Sequence, residues 1–172
     1  MESIDILGRH WKYDCMGCSI ANKEMDLPGG ILYENESFLL HQDPNNPIPG
    51  FLIIAMKRHV QNISEFNQME LDNFIQILHK TRSVLNTFNE IEQYTIIQEE
   101  RSLHFHLWLL PKYKWMENVY DGKINSIIPM LKYGKENWKT EKMVNDTLEM
   151  AKKVKELMNK QEGDYDKNRL LS

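Results

Sequence analysis

Long apolar runs are missing from this sequence. No stretch of its 172 residues approaches the ~20 apolar residues of a membrane-spanning helix, so no such span is expected. Concentrated basic charge is missing too. The 21 lysines and arginines face 25 aspartates and glutamates, for a formal net charge of −4 with no basic block. That balance argues against a dedicated nucleic-acid scaffold and leaves room for a nucleotide pocket. The N-terminus, MESIDILGRHWKYD, has no basic patch followed by an apolar stretch, so no signal peptide is expected and a cytoplasmic location is. Cysteine is scarce. The only two, Cys15 and Cys18, form one C-x-x-C pair, which in a cytosolic chain is more often metal-binding or redox-active than a structural disulfide. Internal repeats and low-complexity segments are absent.

What is present reads as one domain with an elaborated C-terminus. Hydrophobic residues make up 41% and charged residues 27%, the balance of a globular chain large enough to bury a core without staples. Residues 1–14 read as a short lead-in. GGILYENESFLLHQ holds two short strands around a turn at Asn35 to Ser37. DPNNPIPG packs three prolines, two asparagines and a glycine into eight residues and must be a loop. FLIIAM follows as a continuous apolar strand. Ser64 suits the N-cap of a long helix over 65–89, with Phe66, Met69, Phe74, Leu78, Thr81, Leu85 and Phe88 recurring at helical steps. QYTIIQEE and SLHFHLWLLP read as two more strands, MENVYDGKINSIIPMLKYG as short helices and turns. TEKMVNDTLEMAKKVKELMNK is an amphipathic helix with Met143, Thr147, Ala151, Val154 and Met158 on one stripe. The end, 161–172, is expected to fray. Neighbouring strands with helices set apart from them predict an α+β fold on an antiparallel sheet.

Two imidazoles mark the last strand. Side chains alternate faces along a strand, so Leu103, Phe105, Leu107 and Leu109 point one way and His104, His106, Trp108 and Leu110 the other. One face is apolar; the other carries two histidines about 7 Å apart. A tetrahedral zinc site takes four nitrogen or sulfur ligands, and Cys15, Cys18, His59 and His104 make such a set. The competing reading of the cysteines is a thioredoxin-type redox pair, but the strand-to-helix turn of a βαβ unit is not evident around YDCMGCSI. His10, His41 and His79 have no constellation around them.

CMGCSI, DPNNPIPGFLIIAMKRHV and HFHLWLLP, in that order, resemble the histidine-triad (HIT) superfamily over roughly residues 12–112. The resemblance implies a HIT-like antiparallel sheet with a long helix, expected over residues 1–115, and a homodimer; a C-terminal helical extension over 116–172, outside the match, is expected to pack on the same domain. It implies nucleotide hydrolysis or nucleotidyl transfer, with His106 as the nucleophile attacking the α-phosphorus of a nucleoside phosphoramidate, a dinucleoside polyphosphate or a related conjugate. Neutral imidazole suits this role, being both nucleophile and good leaving group. His104 matches the first histidine of the motif, which with Cys15, Cys18 and His59 would hold a structural zinc. Asp43 matches the position that binds the ribose hydroxyls.

Two departures from the family pattern stand out. Trp108 occupies the third histidine's place; it can donate one N–H or stack on a base but cannot act as an imidazole acid. The Gly-rich phosphate-contacting stretch is replaced by QEERS, where Arg101 or Ser102 would contact phosphate and the two glutamates would have to point away. A non-catalytic nucleotide-binding or sensor module therefore remains a reading of the same residues. So does a metallohydrolase in which His104 and His106 share one catalytic metal.

Overall fold

The strand segments pair into one twisted antiparallel sheet. The computed structural model describes residues 1–169, with side chains as far as residue 160, so the fraying expected over 161–172 falls outside the residues fully described. The sheet comprises β3 (Ile31–Glu34), β4 (Phe38–Gln42), β5 (Leu52–Met56), β6 (Ile91–Gln98) and β7 (His106–Tyr113), in the spatial order β3-β4-β5-β7-β6. Every pairing is antiparallel. The lead-in is more structured than its sequence suggests: β1 (Glu2–Ile4) and β2 (His10–Lys12) form a separate two-stranded ribbon. Asp5 holds the turn between them, accepting from the Leu7 and Arg9 N–H groups, the Arg9 guanidinium and the Trp11 indole.

Strand alternation divides the side chains between two faces. Phe38 and Leu40 of β4, Leu52, Ile54 and Met56 of β5, and Leu107 and Leu109 of β7 enter the main core. Helices α2 (Gln68–Leu85) and α4 (Glu141–Arg169) cover that face, contributing Phe74, Ile77, Val84, Leu85, Met150, Ala151, Val154 and Met158. The expected stripe of α4 is thus buried from Thr147 onward. Edge-to-face contacts among Phe66, Phe74 and Phe105, with centroids 4.8 to 6.0 Å apart, knit the centre. The opposite face carries Ile53, Ala55, His106 and Trp108. It is only partly covered, by α1 (Met16–Ala21), the lead-in and a second core around α3 (Ile124–Asn137).

Three expectations about boundaries change. The long helix is capped by Asn67 rather than Ser64, because Asn67 and Glu70 form a reciprocal capping box. Ser64 lies in a preceding 3-10 turn, Ile63–Glu65, and Met69 in the first turn of α2 is exposed. The segment read as short helices and turns holds one continuous 14-residue helix, α3, which tolerates Pro129 at the loss of one backbone hydrogen bond. Strand β7 begins at His106, not Ser102. Leu103 precedes it with φ 57° and is exposed, so alternation holds only from Phe105 onward. Pro111 is accommodated because pairing with β5 ends at Leu109.

Candidate functional site

Four distant side chains meet where β5 and β7 end. Cys15 is the N-cap of α1 and Cys18 lies in its first turn. His59 follows β5, and His104 precedes β7. Their ligand atoms all lie within 4.8 Å of one another. The Sγ–Nδ1 separations run from 3.1 Å (Cys18 to His59) to 3.6 Å (Cys18 to His104), and the two Nδ1 atoms are 3.3 Å apart. A tetrahedron with zinc–sulfur bonds near 2.3 Å and zinc–nitrogen bonds near 2.0 Å has edges of about 3.5 Å between S and N and about 3.3 Å between N and N. The cluster has the dimensions and the donor chemistry of such a site.

The surroundings orient these ligands. His104 donates through Nε2 to the Met56 carbonyl at 2.7 Å, which leaves Nδ1 as the lone-pair nitrogen facing the sulfurs. Burial lowers the His104 pKa and so favours the neutral form that a ligand needs. Burial, with Cys15 beside it, pushes the Cys18 thiol up to about 11, a cost that a bound cation would reverse. Gly17 makes room: a Cβ there would lie 2.6 Å from His104 Nε2. The sequence reading passed over Gly17, although a glycine between the cysteines was its visible signal.

His106 stands one strand repeat further on and points into a different space. Its Nδ1 lies 3.0 Å from the His104 carbonyl oxygen and 3.0 Å from Ser102 Oγ, while Ser102 Oγ donates to the same carbonyl at 2.9 Å. An Nδ1–H donated to that carbonyl leaves Nε2 as the free lone pair. A cavity of about 280 Å³ opens beside it, lined among others by His41, Asp43, Asn45, Ile53, Ala55, Glu99, Ser102, His106 and Trp108.

The remaining site candidates divide. Asp43 lines the cavity, but its Oδ1 holds the DPNN loop together, accepting from the Asn45 N–H, the Asn46 N–H and the Asn46 amide at 2.7 to 2.9 Å. Burial raises its carboxyl pKa against those donors. Trp108 lies at the cavity wall, its ring 5.7 Å from that of His106 and edge-on to Phe51. Arg101 is 79% exposed, lies outside the lining, and pairs through Nε with Glu99 Oε2 at 2.6 Å. Glu99 does not point away, as the neighbouring phosphate site would require. Its Oε1 is 4.0 Å from His106 Nε2. Burial would raise the Glu99 pKa, but hydrogen bonds from the Arg101 side chain and N–H bring it below the usual range. His41, set aside on sequence, is also in the lining. It is buried on the cavity face of β4, and burial pushes its pKa down to about 4. Alternation along FLLHQ was the signal that could have placed it there.

Comparisons with known proteins agree with this geometry. No protein-family model matches the chain. It is 32% identical over 108 residues to an uncharacterized HIT-like protein of Methanocaldococcus jannaschii, spanning 58% of this chain and 80% of that one. It is 22% identical over 151 residues to the protein hit of Bacillus subtilis, spanning 84% and 97%. Among solved structures, a zinc-bound histidine triad family protein from Mycobacterium smegmatis superposes with a TM-score of 0.59 at 13% identity, covering 88% of this chain and 97% of that one. A hypothetical histidine triad nucleotide-binding protein from Sulfolobus tokodaii gives 0.59 at 19% identity, covering 85% and 93%. The fold is that of the HIT proteins, an antiparallel sheet backed by helices. This chain belongs to the HIT family.

Proposed function

We propose that the chain is a HIT-type nucleotide hydrolase or nucleotidyl transferase acting through a covalent nucleotidyl-His106 intermediate. The observation that carries this reading is the His104 carbonyl at 3.0 Å from His106 Nδ1, which directs the reactive Nε2 at the cavity. The substrate is a nucleoside phosphoramidate, a dinucleoside polyphosphate or a related nucleotide conjugate. The Nε2–phosphorus bond forms as the bond to the leaving group breaks, and that group departs with the electron pair and takes up a proton. Water or another acceptor then displaces Nε2 and releases the nucleotide. Ser102 donates to the His104 carbonyl and steadies the imidazole's anchor. Asp43, through its second oxygen, accepts from the ribose hydroxyls, and Trp108 stacks or donates its N–H, while Arg101 stays paired with Glu99.

Cys15, Cys18, His59 and His104 hold a structural zinc, which cross-links α1 to the ends of β5 and β7 and keeps His106 in register. The zinc-bound Mycobacterium smegmatis neighbour supports zinc binding by this chain. Residues 1–115 form the nucleotide-binding unit, and 116–172 form the helical extension packed on it. The chain is cytoplasmic. Among the described residues no helix is long and apolar enough to cross a membrane. Strand β6, an edge of the sheet, is available for pairing in a homodimer.

Incubation with a panel of nucleotide conjugates, followed by intact-protein mass measurement, tests the central claim. A nucleotidyl adduct absent from His106→Ala is the expected result. Neither turnover nor adduct, with both proteins behaving alike, would refute it. Trp108 in the third histidine's place favours one second reading, a non-catalytic nucleotide-binding module. Binding that survives His106→Ala without product from either protein would select it.

A further inference from the structure

Among the described residues the cavity beside His106 is lined by carboxylates and by no lysine or arginine side chain; Met1 is in the lining, its terminal ammonium donating to the Tyr13 carbonyl. Among the described residues its lining includes two carboxylates, Asp43 and Glu99, and three imidazoles, His41, His104 and His106. Glu99 Oε1 is 4.0 Å from His106 Nε2. Reacting atoms approach to about 3 to 3.5 Å before bond formation, so this carboxylate borders the place that an attacked phosphorus must take. Glu99 Oε2 is held on the outer side by the exposed Arg101 guanidinium.

We infer that Glu99 selects the substrate by charge. The site takes a nucleoside monophosphate unit whose further substituent on phosphorus is neutral or cationic, and it turns away a chain of additional phosphates. This rests on the nucleotide reading above and narrows it. Sites that accept polyphosphates surround the added oxygens with arginine, lysine or metal ions, because each phosphate brings further negative charge. Here those oxygens would meet a carboxylate. Drawing Arg101 onto the phosphates would strip Glu99 of its counter-ion and leave two anions face to face. Size agrees with charge: a cavity of about 280 Å³ is at the small end of ligand sites, roughly 300 to 1,000 Å³. A neutral or cationic substituent, in contrast, finds Glu99 as an acceptor or counter-charge.

Equilibrium binding by calorimetry, without divalent cations and at fixed ionic strength, tests this. The probes are adenosine and guanosine 5′-monophosphates, their methyl esters and their 5′-triphosphates. The monophosphate or its ester is expected to bind at least about tenfold more tightly than the triphosphate of the same base. Glu99→Gln is expected to narrow the gap to within about threefold, and Glu99→Lys to reverse the preference. Comparable far-UV circular dichroism would establish that both variants fold. A triphosphate that binds wild-type protein as tightly as the monophosphate would overturn the charge selection while leaving the nucleotide reading intact. So would a gap unchanged in both variants. Binding of none of the probes would overturn both.

Discussion

The imidazole of His104 rests against the backbone of Gly17, so close that a Cβ on residue 17 would lie 2.6 Å from Nε2. That nitrogen is the one that donates to the Met56 carbonyl. Gly17→Ala therefore pushes His104 off both its hydrogen bond and the cysteine pair. We expect zinc affinity to fall roughly 10- to 100-fold, the usual cost of disturbing a ligand's orienting contacts. Competition against a chromogenic chelator measures it, and unchanged affinity would contradict the assignment of His104 as a ligand.

His106→Ala removes the proposed nucleophile. Turnover is expected to fall by on the order of 10³-fold or more, while the ligand set of the metal cluster stays whole. Ser102→Ala, which removes the donor to the His104 carbonyl and the contact with His106 Nδ1 but leaves the imidazole in place, is expected to cost no more than about tenfold. Steady-state kinetics and metal content, measured on the same preparations, separate the two kinds of effect.

His41 makes stability depend on pH. Its ordinary pKa of 6.5 is pushed down to about 4 by burial, with the nearby His106 acting in the same direction and the Gln42 carbonyl opposing. Unfolded chains bind a proton there near 6.5, whereas the folded protein does so only near 4. The unfolded state thus binds more protons within this window, and stability falls as the pH drops through it. In His41→Gln this part of the slope disappears. Urea midpoints for the two proteins across the window provide the check, and parallel pH profiles would count against it.

Met158 is fully buried in the main core although it lies far along α4. Met158→Ala is expected to destabilise the whole protein by about 2 to 5 kcal/mol. A single cooperative transition with a lowered midpoint would mean that α4 and the sheet unfold together. A separate low-temperature step would mean that the extension unfolds on its own.

The parts that sequence reading located well are those governed by local periodicity. The two-residue repeat of HFHLWL sends Leu107 and Leu109 to the core and His106 and Trp108 to the cavity. The helical repeat of Thr147, Ala151, Val154 and Met158 predicted the buried side of α4. The parts it misplaced depend on local hydrogen-bond competition or on neighbours far along the chain. Asn67 outcompeted Ser64 as the helix cap because Glu70 returns the bond. Glu99 belongs to an ordinary polar stretch in sequence, yet it faces His106 because β6 and β7 pair with Gln98 opposite Leu107.

By itself the sequence determined the candidate ligand types, their order, and the two-residue spacing that sets His104 apart from His106. Only the tertiary structure decided that Cys15 and His104, 89 residues apart, come within 3.3 Å, and that the Glu99 carboxylate stands beside the His106 imidazole. Those meetings depend on strand order and loop closure, which no local propensity encodes.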